Sequence, residues 1–234
     1  GSGSLERTID NPDPVSGDSY FGQSIAIDGT TAIVGAPETS ITDGSVVTLN
    51  TGRVYIINVS TGATLHTIEN PGYVLYQSDR FGSAVAISGN YAIVGVRAER
   101  SDAGETYSGK AYIFNVTTGA LLHTLDNPNA YGTRANDNFG CTVGISEGNQ
   151  TAIVGAWDED DADGLLSGKA YMFRIDTGQL TQTLDNPNTY STSANDRFGS
   201  AVAIANGNAI VGAPGEESFS SGKAYIYKFV PTIK

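Results

Sequence analysis

A single cysteine among 234 residues, Cys141, has no partner for a disulfide within the chain. Stability must therefore come from packing, and the redox compartment is left open. Basic residues are also scarce: 13 Lys and Arg stand against 25 Asp and Glu, a formal net charge of −12. Nucleic-acid backbones and anionic membrane surfaces need clustered cations to displace counterions, so neither is expected as a partner. Cations, basic proteins and neutral glycans remain open. No apolar run approaches the roughly 20 residues that span a bilayer, so membrane insertion is not expected. Only one methionine and one tryptophan occur, whereas 29 glycines and twelve tyrosines do. Glycine supplies the positive φ of tight turns, and the balance fits many short strands far better than helices.

What is present is periodic. Phe-Gly recurs at Phe21, Phe81, Phe139 and Phe198, spaced by 60, 58 and 59 residues. Ala-Ile-Val-Gly keeps the same step, at Ala32 to Gly35, Ala92 to Gly95, Ala152 to Gly155 and Ala209 to Gly212. So does Gly-(Lys/Arg)-(Ala/Val)-Tyr, which begins at Gly52, Gly109, Gly168 and Gly222. A fourth landmark runs from Thr-Gly to (Glu/Asp)-Asn-Pro at Thr61–Pro71, Thr118–Pro128 and Thr177–Pro187. Its missing copy is at the other end, where Leu5 to Pro12 match Leu121 to Pro128.

Each repeat reads as four short strands, A to D, exemplified by Phe81–Ser88, Tyr91–Val96, Lys110–Val116 and Ala120–Asp126. A lone four-stranded sheet is marginal, so such repeats must bury their faces on one another. The fold predicted is an all-β, four-bladed β-propeller with four antiparallel strands per blade. Residues 5–234 form one domain, and Gly1 to Ser4 read as an expression remnant. The blades span about 21–71, 81–128, 139–187 and 198–230, the last completed by residues 5–12 as its outer strand. That pairing closes the ring within one chain, giving a monomeric propeller; strand exchange between two chains, forming a larger ring, is the alternative. Small residues at Ser24 and Ala26, Ala84 and Ala86, Thr142 and Gly144, and Ala201 and Ala203 let the inner strands crowd the axis. Ile25, Ile27, Val85, Ile87, Val143, Ile145, Val202 and Ile204 are expected between blades.

The Phe-Gly starts, with Gly35-Ala36-Pro37 and Gly212-Ala213-Pro214, resemble the FG-GAP repeats of integrin α-subunit propellers and their microbial or viral relatives. The middle copies depart, to Gly95-Val96-Arg97 and Gly155-Ala156-Trp157. The family's calcium loop between strands A and B does not carry over, because Asp28-Gly29, Ser88-Gly89-Asn90 and Asn206-Gly207-Asn208 are tight turns. The resemblance implies adhesion or ligand binding, with an extracellular or surface-exposed location.

In an up-and-down blade the short A–B and C–D turns share one end. The long B–C and D–A loops share the other, where binding residues concentrate on a rigid scaffold. That loop face is expected to hold Trp157, Tyr73, Tyr76, Tyr131, Tyr190 and Arg97, with Asn129, Asn136, Asn188 and Asn195. Aromatic faces beside amides and carboxylates suit a glycan or a protein ligand, although the repeated tyrosines also fit simple packing of blade junctions. Glu159, Asp161 and Asp163 before Gly164 have the alternating oxygen spacing of a calcium loop, without a downstream bidentate glutamate; a solvated acidic loop is the alternative. Asp79, Asp137 and Asp196, two places before each Phe-Gly, read as turn-forming carboxylates, with Asp18 displaced by one in the first copy. His66 and His123 sit at equivalent outer-strand positions, and Cys141 reads as an inert thiol.

The function expected is a non-catalytic recognition or adhesion module. The alternatives are a structural or assembly domain of a larger surface or virion protein, and a glycoside-active enzyme, for which no unique carboxylate pair stands out.

Overall fold

The computed structural model describes residues 3–14, 18–43, 46–72, 78–101, 104–129, 135–160, 166–188, 195–216 and 221–229. The chain is all-β, and its strands build four consecutive blades. Blade 1 pairs β1 (Ser24–Asp28), β2 (Thr31–Ala36), β5 (Arg53–Asn58) and β6 (Thr64–Glu69). Its B–C loop carries an additional hairpin of β3 (Ile41–Asp43) and β4 (Val46–Thr48), which the repeat pattern does not announce. Blade 2 is β7 (Ala84–Ser88), β8 (Tyr91–Val96), β9 (Lys110–Asn115) and β10 (Leu121–Asp126). Blade 3 is β11 (Thr142–Ser146), β12 (Thr151–Ala156), β13 (Lys169–Arg174) and β14 (Leu180–Asp185). Blade 4 has β15 (Ala201–Ala205), β16 (Asn208–Ala213) and β17 (Lys223–Lys228). All neighbours pair antiparallel. The A–B turns are tight because Gly29, Gly89 and Asn206-Gly207 adopt positive φ, the geometry that matches strand twist. In blade 3 a short 3₁₀ turn, Glu147–Asn149, replaces them.

Blades meet through three equivalent cores. Ile33, Val54, Ile56 and Ile68 of blade 1 pack on Phe81, Val85 and Ile87 of blade 2. Ile93, Ala111, Ile113 and Leu125 meet Phe139, Val143 and Ile145, and Ile153, Ala170, Met172 and Leu184 meet Phe198, Val202 and Ile204. The backbones come close at each junction. A Cβ on Gly35, Gly95 or Gly155 would lie 2.2, 2.0 or 2.1 Å from the carbonyl oxygen of Gly82, Gly140 or Gly199 in the next blade. Only glycine allows that approach.

The predicted closing pair is not formed. Among the described residues the fourth sheet has three strands, and residues 5–12 do not pair with β17. They lie on blade 1 instead, as β6 lies on blade 2. The Arg7 side chain packs on Gly62, as His66 packs on Gly119 and His123 on Gly178. Ile9 joins Val34, Ala36, Tyr55, Ile57 and Phe21 in a fourth, smaller cluster. Residues 5–12, which form no strand, are thus seated against the first blade and share no ladder with β17.

Candidate binding face and its buried supports

Each Phe-Gly is preceded by a residue forced into left-handed backbone: Tyr20, Arg80, Asn138 and Arg197 have φ of 52°, 64°, 55° and 56°. Such conformations cost about 1 kcal/mol or more for a side-chain-bearing residue, and persist only where the surroundings over-determine them. Here the next residue supplies the constraint. Phe81, Phe139 and Phe198 are fully buried, and their N–H groups donate to Thr51, Ser108 and Ser167 carbonyls at 2.9, 3.1 and 2.8 Å. The side chains of Arg80, Asn138 and Arg197 then engage Glu38, Asp158 and Trp157.

Beneath that face every D–A loop begins with the same device. The Asn11, Asn70, Asn127 and Asn186 side-chain oxygens accept the N–H two residues on, at 2.9 to 3.0 Å. In blade 2 the amide groups of Asn127 and Asn129 both donate to Asp137 at 2.7 Å, and Asn186 and Asn188 treat Asp196 alike at 2.8 and 2.6 Å. Asp137 and Asp196 are therefore structural, as expected, but their partners are side-chain amides. In the first copy Ser19, not Asp18, takes that place and bonds Asn11 at 2.9 Å. Burial pushes the Asp137 carboxyl up to about 6, against the pull of Asn129 and Asn127.

A second buried carboxylate recurs four residues after the strand-B glycine. Glu99, Glu159 and Glu216 accept the phenolic hydroxyls of Tyr112, Tyr171 and Tyr225, at 2.6 Å in the first two. Their carbonyls also accept the Gly109, Gly168 and Gly222 N–H at 2.9 Å, closing the base of each B–C loop. Thr39 does so in blade 1. Burial drives Glu99 up to about 7 and Glu159 up to about 8, opposed by the tyrosine hydroxyls.

Above these supports stands Trp157, half-buried at the end of β12. The Arg197 guanidinium lies 5.4 Å from its ring centroid, a cation–π distance. Asp158 beside it accepts the Asn138 amide at 2.8 Å. Burial raises the Asp158 pKa, and Arg197, Asn138 and Arg97 counter it. The tryptophan Nε1–H has no hydrogen-bond partner among the described residues. An indole, the Arg197 guanidinium, a carboxylate and an amide thus converge on one patch, with Arg97 of blade 2 within electrostatic reach of its carboxylate.

The sequence pattern of the FG-GAP repeat matches the chain four times, over residues 6–57, 76–114, 129–173 and 191–227. The chain belongs to the FG-GAP repeat family. Its repeats are those of a β-propeller domain of an adhesion-like or structural kind, generally non-catalytic. No curated protein matches the chain.

Of the residues expected on the FG-GAP loop face, Trp157 is in the patch and Arg97 is near enough to act on Asp158. Tyr73, Tyr76, Tyr131, Tyr190, Asp161 and Asp163 lie outside the described residues. Glu159, expected to lead a calcium loop, is instead turned inward and fully buried against Tyr171. Among the described residues no three metal-ligating side chains cluster. Asn129 is likewise buried as a support for Asp137 and is not displayed. Arg197 and Asn138 were not singled out from the sequence, because their importance lies in a left-handed backbone that composition does not signal. The His66 Nε2 bonds the Thr117 carbonyl at 3.0 Å, which makes it a blade-to-blade contact. Cys141 donates weakly to the Gly155 carbonyl at 3.3 Å, and burial pushes its thiol up to about 11, far from a nucleophilic thiolate. At the opposite end, Ile27, Ile87, Ile145 and Ile204 border an open axial depression of about 480 Å³, whose lining includes one carboxylate, Asp28.

Proposed function

We propose that this FG-GAP domain is an extracellular or surface-exposed recognition module that binds a glycan or a protein ligand through the Trp157 patch. The observation that carries the reading is the indole held beneath Arg197 with the Asp158–Asn138 pair alongside. Sugar rings offer apolar C–H faces edged with hydroxyls, and this patch offers an aromatic face edged with charged and amide groups. The strained Arg197 and Asn138 backbones keep those groups in place before any ligand arrives, which lowers the ordering cost of binding.

Because the chain has one tryptophan, its fluorescence reports on this patch alone. Titration with a panel of oligosaccharides, and with extracts of cell-surface protein, is expected to quench or shift the emission for one ligand class. Trp157→Ala should lose that ligand in a label-free assay while keeping its fold. An array and cell-binding screen without a ligand, or a ligand bound equally by Trp157→Ala, would sink the proposal.

A further inference from the structure

We propose that the group recognised by the Trp157 patch is a single carboxylate carried on a sugar, so that the patch selects acidic over neutral glycans; this rests on the reading of that patch as the binding site. Guanidinium groups are few in this chain, and most already hold an oxygen of its own. Among the described residues Arg7 donates to the Ser60 carbonyl, Arg53 is held by Asp13 and Glu69, Arg80 by Glu38 and Arg174 by Asp176. Arg100 is engaged as well. The Arg97 and Arg197 side chains, by contrast, form no ion pair and donate no hydrogen bond among the described residues, and both act on the same carboxylate, Asp158. The two guanidinium groups left without an acceptor thus belong to the surroundings of the one tryptophan.

Comparison of equivalent junctions shows how Arg197 comes to be open. Arg80 and Arg197 hold matching places, each just before a Phe-Gly and each in left-handed backbone. Glu38 and Asp158 also match, three residues past the strand-B glycine. Between blades 1 and 2 the pair meets, and Arg80 forms an ion pair with Glu38 at 3.1 Å. Between blades 3 and 4 the carboxylate is diverted: the Asn138 amide donates to its Oδ2 at 2.8 Å. Arg197 lies instead 5.4 Å from the Trp157 ring, where blade 1 has Pro37. Stacking occupies the face of a guanidinium and leaves its N–H edge open, a planar fork that matches the two oxygens of a carboxylate. Asp160, the other acid acting on Asp158, accepts the Leu166 N–H at 2.8 Å. Both local carboxylates therefore have donors already, while the two guanidinium groups lack acceptors.

An isolated anion suits these surroundings better than a polyanion. Charges are screened beyond about 8 Å at physiological salt, so the guanidinium groups act on one group placed against them. An acidic peptide or a sulfated polymer would spread its charge over a molecule that itself carries −12. A sugar acid brings one carboxylate to the fork and lays apolar C–H surface on the half-buried indole.

Matched probes test this: sialyllactose against lactose, and a glucuronate-terminated against a glucose-terminated oligosaccharide, titrated by calorimetry at physiological salt. At least one acidic probe should bind about tenfold tighter than its neutral parent, and the preference should shrink as salt is raised. In variants whose thermal melts match the parent protein, Arg97→Gln and Arg197→Gln should each bring the ratio toward one. Arg197→Lys, which keeps the charge but loses the fork, should lose most of the preference too. Arg174→Gln, which removes the same charge at the opposite end of the blades, should leave the ratio unchanged. Neutral parents bound as tightly as the acids, a ratio insensitive to Arg97 and Arg197, or tighter binding of polyglutamate or a sulfated oligosaccharide would overturn the assignment of a sugar carboxylate while leaving the recognition reading in place. Failure of every sugar and every protein ligand to bind at Trp157 would remove both.

Discussion

Glu99, Glu159 and Glu216 are buried and each accepts a tyrosine hydroxyl, from Tyr112, Tyr171 and Tyr225, at the base of a B–C loop. Their recurrence is concealed because the first copy has Thr39 and because Glu159 stands in an acidic run that reads as a surface loop. Their folded-state pKa values are raised by burial from 4.5 to about 7 for Glu99 and about 8 for Glu159. Between the unfolded and folded values the native state holds protons that the unfolded chain has released. Stability contributed by these protonated groups is therefore present at low pH and lost as pH rises from about 5 to 8, by up to about 1.4 kcal/mol per pH unit for each group. Thermal melts across that range should fall with pH, and Glu99→Gln/Glu159→Gln should flatten the slope. A glycine comparison is equally direct. Gly155→Ala should destabilise the chain by about 3 kcal/mol, since a backbone carbonyl must move, whereas Gly212→Ala should leave the fold of the single chain unchanged in urea titrations.

At the level of the element, the strands themselves were readable. Alternation and the Gly-Asn turns predict Tyr91–Val96, and β8 has those bounds; strand A starts later than predicted, at Ala84, because Phe81-Gly82-Ser83 form the turn that buries the ring. The Phe rings are the wedges between blades. Phe139 stacks edge-on to Phe173, with centroids 6.0 Å apart, and lies 5.8 Å from Tyr171. Phe139→Ala should cost about 3–5 kcal/mol. Phe21 has only the small cluster of blade 1 about it and stays half-buried, so Phe21→Ala should cost less than half as much; paired chemical-denaturation curves decide this. What could not be read at this level was the β3–β4 hairpin and the residues held at positive φ, since neither leaves a periodic trace.

For the whole molecule, repetition announces the number of blades, and the family pattern agrees. Closure is the part of the reading without a counterpart among the described strands: Leu5 to Pro12 match Leu121 to Pro128 in sequence, yet they form no strand and the fourth sheet has three. Pairing depends on the angle between blades, which is set by junction packing and not by the repeat length. Blades that touch only their neighbours should share stability unevenly. Hydrogen exchange should find β8, β9, β12 and β13 slowest and β1 and β17 fastest. Uniform protection across the four sheets would contradict that unevenness.

The glycine N–H that reaches back to the residue four places past each strand-B glycine joins the two stems of every B–C loop at 2.9 Å. Blade 1 carries a whole extra hairpin between those stems and keeps the same clasp, from Thr39 to Gly52. Whatever lies beyond the clasp is thus insulated from the sheet. The four loops can drift in length and content without consulting the fold, so new specificities can be written into one rim while the blades beneath stay as they are.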